Sequence, residues 1–220
     1  MKAKRNLLVL LSVLLVVMFI RFDNLVMGGT GDEVISYDIV YKRYSMEEKR
    51  ALLMDMAIEL DRDYGLAVGV EAFADMCMVV LYCESNLEPT TVSRDGTQFG
   101  INQLTVRTIN HLGIPMGVEN YDFSGQLRFF KKYLIATGRI SDIRSTVDLH
   151  VLNFAPSVSF SRDSICGIGG NGLSALDMNK NLYIDRGDFI IFQKKRCSSN
   201  KFINGVYGGL DGEKRGVRGV

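Results

Sequence analysis

Glu84 closes an apolar run and is followed at once by Ser85 and Asn86, a setting in which a carboxyl group can do chemistry. The run before it, Val79 to Cys83, reads as the last turns of a buried helix. Glu88-Pro89 ends that helix, because proline disfavours the α region for the residue before it. A polar loop containing Gly96 follows, and Phe99-Gly100-Ile101-Asn102-Gln103 brings the chain back. Half-apolar surroundings disfavour the charged form of a carboxyl group. One that keeps its proton near neutral pH can serve as a general acid toward a leaving oxygen. The plainer alternative for a lone Glu is a solvated helix end, or an ion pair with a nearby Arg.

These residues also carry a resemblance. Glu84-Ser85, Pro89 five residues after the Glu, Ser93, Gly96 and then Gly100-Ile101-Asn102-Gln103 resemble the E-S…G-L-M-Q signature of lytic transglycosylases and goose-type lysozymes. Leu152-Asn153-Phe154-Ala155-Pro156 resembles the Y-N-A-G-P box of the same superfamily, about 50 residues farther on and in the family's order. Together the matches run from Leu53 to Pro156. The loop before Gly100 is slightly longer than the common pattern, Asn102 stands where Met is usual, and Ala155 stands where Gly is frequent.

The resemblance implies a mainly α, lysozyme-like (α+β) fold, a helical domain with a small loop or two-stranded lobe flanking a cleft. It implies cleavage of the β-1,4 bond between N-acetylmuramic acid and N-acetylglucosamine, with Glu84 as acid and then base. In a lytic transglycosylase the sugar's own 6-hydroxyl closes a 1,6-anhydro ring, so one carboxylate is enough and no cofactor is needed. A hydrolytic muramidase would more often need a second carboxylate. Glu88 and Asp95 are the candidates, and Asp95-Gly96 also reads as a turn. A lysozyme-like scaffold without turnover, serving as a wall-binding component, is the third reading. By the same resemblance Gln103 lines the groove and Asn153 lies near the acid. Ser85 joins them; Tyr82 and Phe99 could offer aromatic faces to sugar rings, though both read first as core packing. Side-chain amides suit such a site because each both donates and accepts hydrogen bonds.

A second motif lies at Asp177 to Asp188. It resembles an EF-hand calcium loop, with Asp177, Asn179 and Asn181 at positions one, three and five, Tyr183 at seven and Asp188 at twelve. Oxygen ligands at alternating positions can wrap one hard cation. Leu182 stands where Gly normally makes the sharp turn, and Asp188 replaces the longer Glu. The competing reading is a polar turn into a helix. The histidines, His111 and His150, join no cysteine in a metal pattern and read as structural or surface residues. Cys77 and Cys83, six residues apart on one helix, read as small core residues. Cys166 and Cys197 could pair in an exported protein.

These groups need a frame. Lys2, Lys4 and Arg5 precede an apolar run from Leu7 to Ile20, too short for the ~20 residues of a full membrane span but suited to a secretory signal. Residues 1–22 are thus read as a signal peptide or membrane anchor, and 23–44 as a linker. Either reading exports the rest to the periplasm or cell envelope, with peptidoglycan strands as partner and the inner membrane as a second through residues 7–20. The capping box Ser45-Met46-Glu47-Glu48 opens a catalytic domain at 45–160. An extension with the EF-hand-like loop follows at 161–197, and a loose, glycine-rich tail at 198–220. Lys and Arg number 26 against 25 Asp and Glu, a formal charge of +1, which argues against a nucleic-acid partner.

Overall fold

Helix α1 (Met46–Tyr64) starts at the expected capping box: the Ser45 hydroxyl accepts from the Glu48 N–H, and the Glu48 carboxylate accepts from the Ser45 N–H. The computed structural model of the chain describes residues 42–157, 164–167, 177–178, 180 and 183–216. The expected leader and most of the linker therefore lie outside the described residues. Among the described residues no helix is long and apolar enough to cross a membrane.

Helix α2 (Val70–Ser85) is the hub. Phe73, Ala74, Cys77, Met78, Val79, Val80 and Leu81 are fully buried, so the helix is apolar almost all round, as a central helix must be. It packs against α1, α5 (Thr146–Phe154), α6 (Arg186–Cys197) and α7 (Lys201–Gly216). Its end falls at Ser85, just before the expected break. Asn86 and then Leu87 adopt the left-handed conformation, with φ of 58° and 61°. Asn tolerates this; Leu costs about 1–2 kcal/mol there. Its buried side chain and the Lys49 ammonium, which donates to the Leu87 carbonyl at 2.9 Å, hold it in place.

The small lobe follows. Strand β1 (Gln98–Phe99) pairs antiparallel with β2 (Leu104–Thr105), and Val92 bridges to Phe99. Thr105 caps α3 (Val106–His111), and Asp122 caps α4 (Phe123–Thr137), which ends at Gly138 in the left-handed conformation. Ser145 caps α5, as its sequence suggests. Strands β3 (Ser164–Gly167) and β4 (Tyr183–Asp185) form a second antiparallel pair leading into α6. The described residues thus form a mainly helical fold with short two-stranded pieces, in agreement with the expected class.

The chain's end departs from expectation. Residues from Ser198 were expected to form a loose tail, yet Lys201–Gly216 is a helix. Asn200 caps it, its side-chain oxygen accepting from the N–H groups of Phe202 and Ile203. Ile203 and Tyr207 are buried in the main core, with Phe202, Val206 and Leu210 packed against it. Spacing of three and four puts these side chains on one face, and burial of that face outweighs the poor helix propensity of Gly205, Gly208 and Gly209. Cys197 lies in the same core. The chain's end therefore shares the main core with the helices before it, while Ile184 and Phe189 pack with Val147 and Val151 of α5 in a smaller cluster.

Candidate active site

The carboxyl of Glu84 emerges where α2 ends, its side chain one-fifth exposed. Two nitrogens converge on its Oε1: Asn153 Nδ2, which donates at 3.0 Å, and His150 Nε2 at 3.1 Å. Both come from α5, where a spacing of three residues puts them on one face. Among the described residues Oε2 makes no hydrogen bond. Asn153 Nδ2 also donates to the Asn102 carbonyl at 3.2 Å, tying the Gly100–Gln103 turn to the carboxylate. The Tyr133 hydroxyl donates to the Leu152 carbonyl at 2.7 Å, which fixes the end of α5 beside Asn153. Burial, and then the nearby charge of Glu84, push this phenol well above its ordinary range.

The turn is pinned from beneath. Gln126 of α4 is 1 % exposed and spends its whole amide on four backbone groups. Its oxygen accepts from the Ile101 N–H at 2.7 Å, and its nitrogen donates to the carbonyls of Pro89, Val118 and Tyr121. Gly100 runs directly over this amide with φ +76°, and an added Cβ would collide with Gln126 Oε1 and Val118 Cγ1. Here glycine is required twice over, by backbone angle and by space.

Glu84 opens into a groove of about 1100 Å³, with Gln103, Asn153 and Thr108 on its polar side and Phe154, Phe189 and Phe192 on its apolar side. Gln103 itself has φ 53°, and its amide nitrogen donates to the Gly100 carbonyl at 2.8 Å, which holds the side chain along the groove. Asp95 lines the same groove. Its Oδ1 accepts from Ser93 Oγ, Thr97 Oγ1 and Thr97 N. These bonds, Ser93's foremost, hold its carboxyl below the usual carboxylate range.

The structure brings Glu84, Gln103 and Asn153 together, and it puts three other expected residues elsewhere. Ser85 is 3 % exposed and donates its hydroxyl to the carbonyls of Leu81 and Ile101, so it fastens the turn to α2 and is closed to a sugar. Tyr82 lies on another face of α2, where its hydroxyl meets Ser199 Oγ at 2.9 Å and the Arg196 guanidinium stands over its ring. Phe99 packs against the main core from strand β1 and does not line the groove.

His150 is the residue that sequence reasoning missed. It is 3 % exposed, its ring 4.8 Å from Phe189 and 5.9 Å from Phe192, both on α6. The spacing of His150 from Asn153 was a usable signal; for Phe189, Phe192 and Gln193, in a segment read as an appendage, there was none.

Of the expected calcium ligands, Asn179 and Asn181 lie outside the described residues. Tyr183 sits in β4, paired with Gly167. Asp188 is 1 % exposed and forms a capping box with Asp185, its two oxygens accepting from the Met178 and Asp185 N–H groups. Among the described residues no three His, Cys, Asp or Glu side chains are placed to hold a metal ion. The Cys166–Cys197 pairing also fails, since Cys197 is a free, buried thiol. Its sulfur instead accepts from the Cys83 thiol, which lowers the Cys197 pKa and raises that of Cys83. Cys77 and Cys83 are buried, as expected of small core residues.

Comparison of the chain with protein-family models, curated proteins and solved structures returns no match.

Proposed function

We propose that this chain is an exported, lysozyme-like enzyme that cleaves peptidoglycan as a lytic transglycosylase. The bond is the β-1,4 link between N-acetylmuramic acid and N-acetylglucosamine. The observation that supports this reading best is the Glu84 carboxyl in its groove, with Asn153 Nδ2 and His150 Nε2 both on Oε1 and Oε2 facing away from them. In the first step Oε2–H protonates the glycosidic oxygen as the bond from that oxygen to the muramic acid C1 breaks. In the second the carboxylate takes the proton of the 6-hydroxyl while O6 bonds to C1. The ring closes as a 1,6-anhydro sugar, Glu84 regains its proton, and no water is consumed. Gln103 and Asn153 would meet the sugar's polar groups, and Phe154 its apolar face.

A muramidase is the second reading, favoured by the presence of Asp95 in the same groove, where an ionised carboxylate could hold a water. Against it, three donors from Asp95's own turn already occupy one oxygen. Purified cell wall separates enzyme from wall-binding component. The enzyme releases soluble sugar fragments; a component that only binds sediments with the wall and releases none.

Calcium in the Asp177 loop is a proposal resting on the sequence pattern, structural in role and outside every catalytic step. Calorimetric titration to roughly millimolar calcium is expected to give heat in the wild type and none in Asp177→Ala. A folded wild type that gives no heat removes the site.

A further inference from the structure

Gln193 is fully buried on α6 and does not itself line the groove; it reaches the site through His150, which does. Its amide nitrogen lies 3.3 Å from the Thr146 carbonyl and 3.0 Å from His150 Nδ1. A carbonyl oxygen only accepts, so the contact with Thr146 fixes which end of the Gln193 amide is nitrogen. That nitrogen then donates its second hydrogen to His150 Nδ1. A ring whose Nδ1 accepts carries its hydrogen on Nε2. His150 Nε2 faces Glu84 Oε1, so the hydrogen is delivered there as a donor. The cost is visible on the far side of the amide: Gln193 Oε1 is buried with no partner among the described residues. Turning the amide over would satisfy neither Thr146 nor the present ring. Helix α6 is held on α5 for this purpose by the Arg186–Asp148 ion pair at 2.7 Å and by Phe189 and Phe192 against the imidazole.

We propose that Gln193 is a positioning residue for the reaction: it locks His150 in the Nε2–H tautomer, so that Glu84 Oε1 is always occupied and the transferable proton sits on Oε2. This rests on the transglycosylase reading for its consequence and on the hydrogen bonds alone for its geometry. The C-terminal extension is thereby part of the catalytic apparatus, through a residue that never meets the sugar.

The test is Gln193→Met, which keeps the volume, removes the donor and also removes the orphaned oxygen, so the fold should persist. In ¹⁵N-histidine-labelled protein, long-range proton–nitrogen correlations identify which ring nitrogen of neutral His150 bears hydrogen, with His111→Gln used to assign the two rings. The wild type is expected to show Nε2–H alone, and Gln193→Met a mixture of tautomers with His111 unchanged. On cell wall, kcat is expected to fall roughly tenfold or more while KM holds. An Nδ1–H ring in the wild type, or an unaltered tautomer and kcat in a folded Gln193→Met, overturns the proposal. Should that variant not fold, the wild-type tautomer decides by itself. Should the wild type release no fragments, the enzymatic reading falls while the tautomer measurement still judges the role of Gln193 in setting the ring.

Discussion

Glu84→Gln is expected to fold normally and to clear cell wall about 10² to 10⁴ times more slowly than the wild type, the range lost when general acid–base catalysis is removed. The amide keeps the size and shape of the side chain, and its oxygen can still accept from Asn153 and His150. What disappears is a proton to give to the glycosidic oxygen and a base to take one from the 6-hydroxyl. The loss should fall on kcat, since the groove that binds the glycan strand is unaltered. Thermal melting alongside a turbidity assay checks both halves. A variant that clears wall as fast as the wild type would remove Glu84 from the chemistry.

The second large effect concerns stability. Gly100→Ala is expected to destabilise the fold by at least about 2 kcal/mol, combining the left-handed backbone penalty with overpacking. The new methyl would be driven against Gln126 Oε1 and Val118 Cγ1. Gln126→Leu should cost about 2 kcal/mol or more, because the buried Ile101 N–H and the Pro89 carbonyl would lose this partner at once, each such group costing about 1–3 kcal/mol, while the Val118 carbonyl keeps the Tyr121 N–H. The two effects should not add, since both act on one contact. Denaturant titration of the two single variants and the double variant measures this. A Gly100→Ala protein as stable as the wild type would mean that the turn is not pressed against Gln126.

Much of this frame was legible in the sequence because its signals are local. Ser45 and Glu48 announce the start of α1, Ser145 that of α5, and the unbroken apolar run before Glu84 marks α2 as the buried hub. Glu84, Gln103 and Asn153 were found through motif positions, and they line one groove. The two misplaced residues of α2 share one cause. Neighbours along a helix point about 100° apart, so Ser85 and Tyr82, beside Glu84 in sequence, face a buried carbonyl and α7's approach rather than the groove. Helix α7 was hidden by its glycines, whose low propensity is overridden by the burial of Ile203 and Tyr207. Gln193 was hidden for a different reason. Its part depends on α6 folding back onto α5, a long-range contact that no local pattern announces, whereas His150, three residues before Asn153 on one helix, could have been found.

The central claim is that a single carboxyl group cleaves the glycan with the substrate's own hydroxyl as nucleophile. Mass spectrometry of soluble fragments released from purified peptidoglycan tests it most directly. Wild-type digests should carry 1,6-anhydro-muramic ends, and parallel Glu84→Gln digests almost none. Fragments with reducing ends, heavier by one water, would show hydrolysis instead and contradict the account.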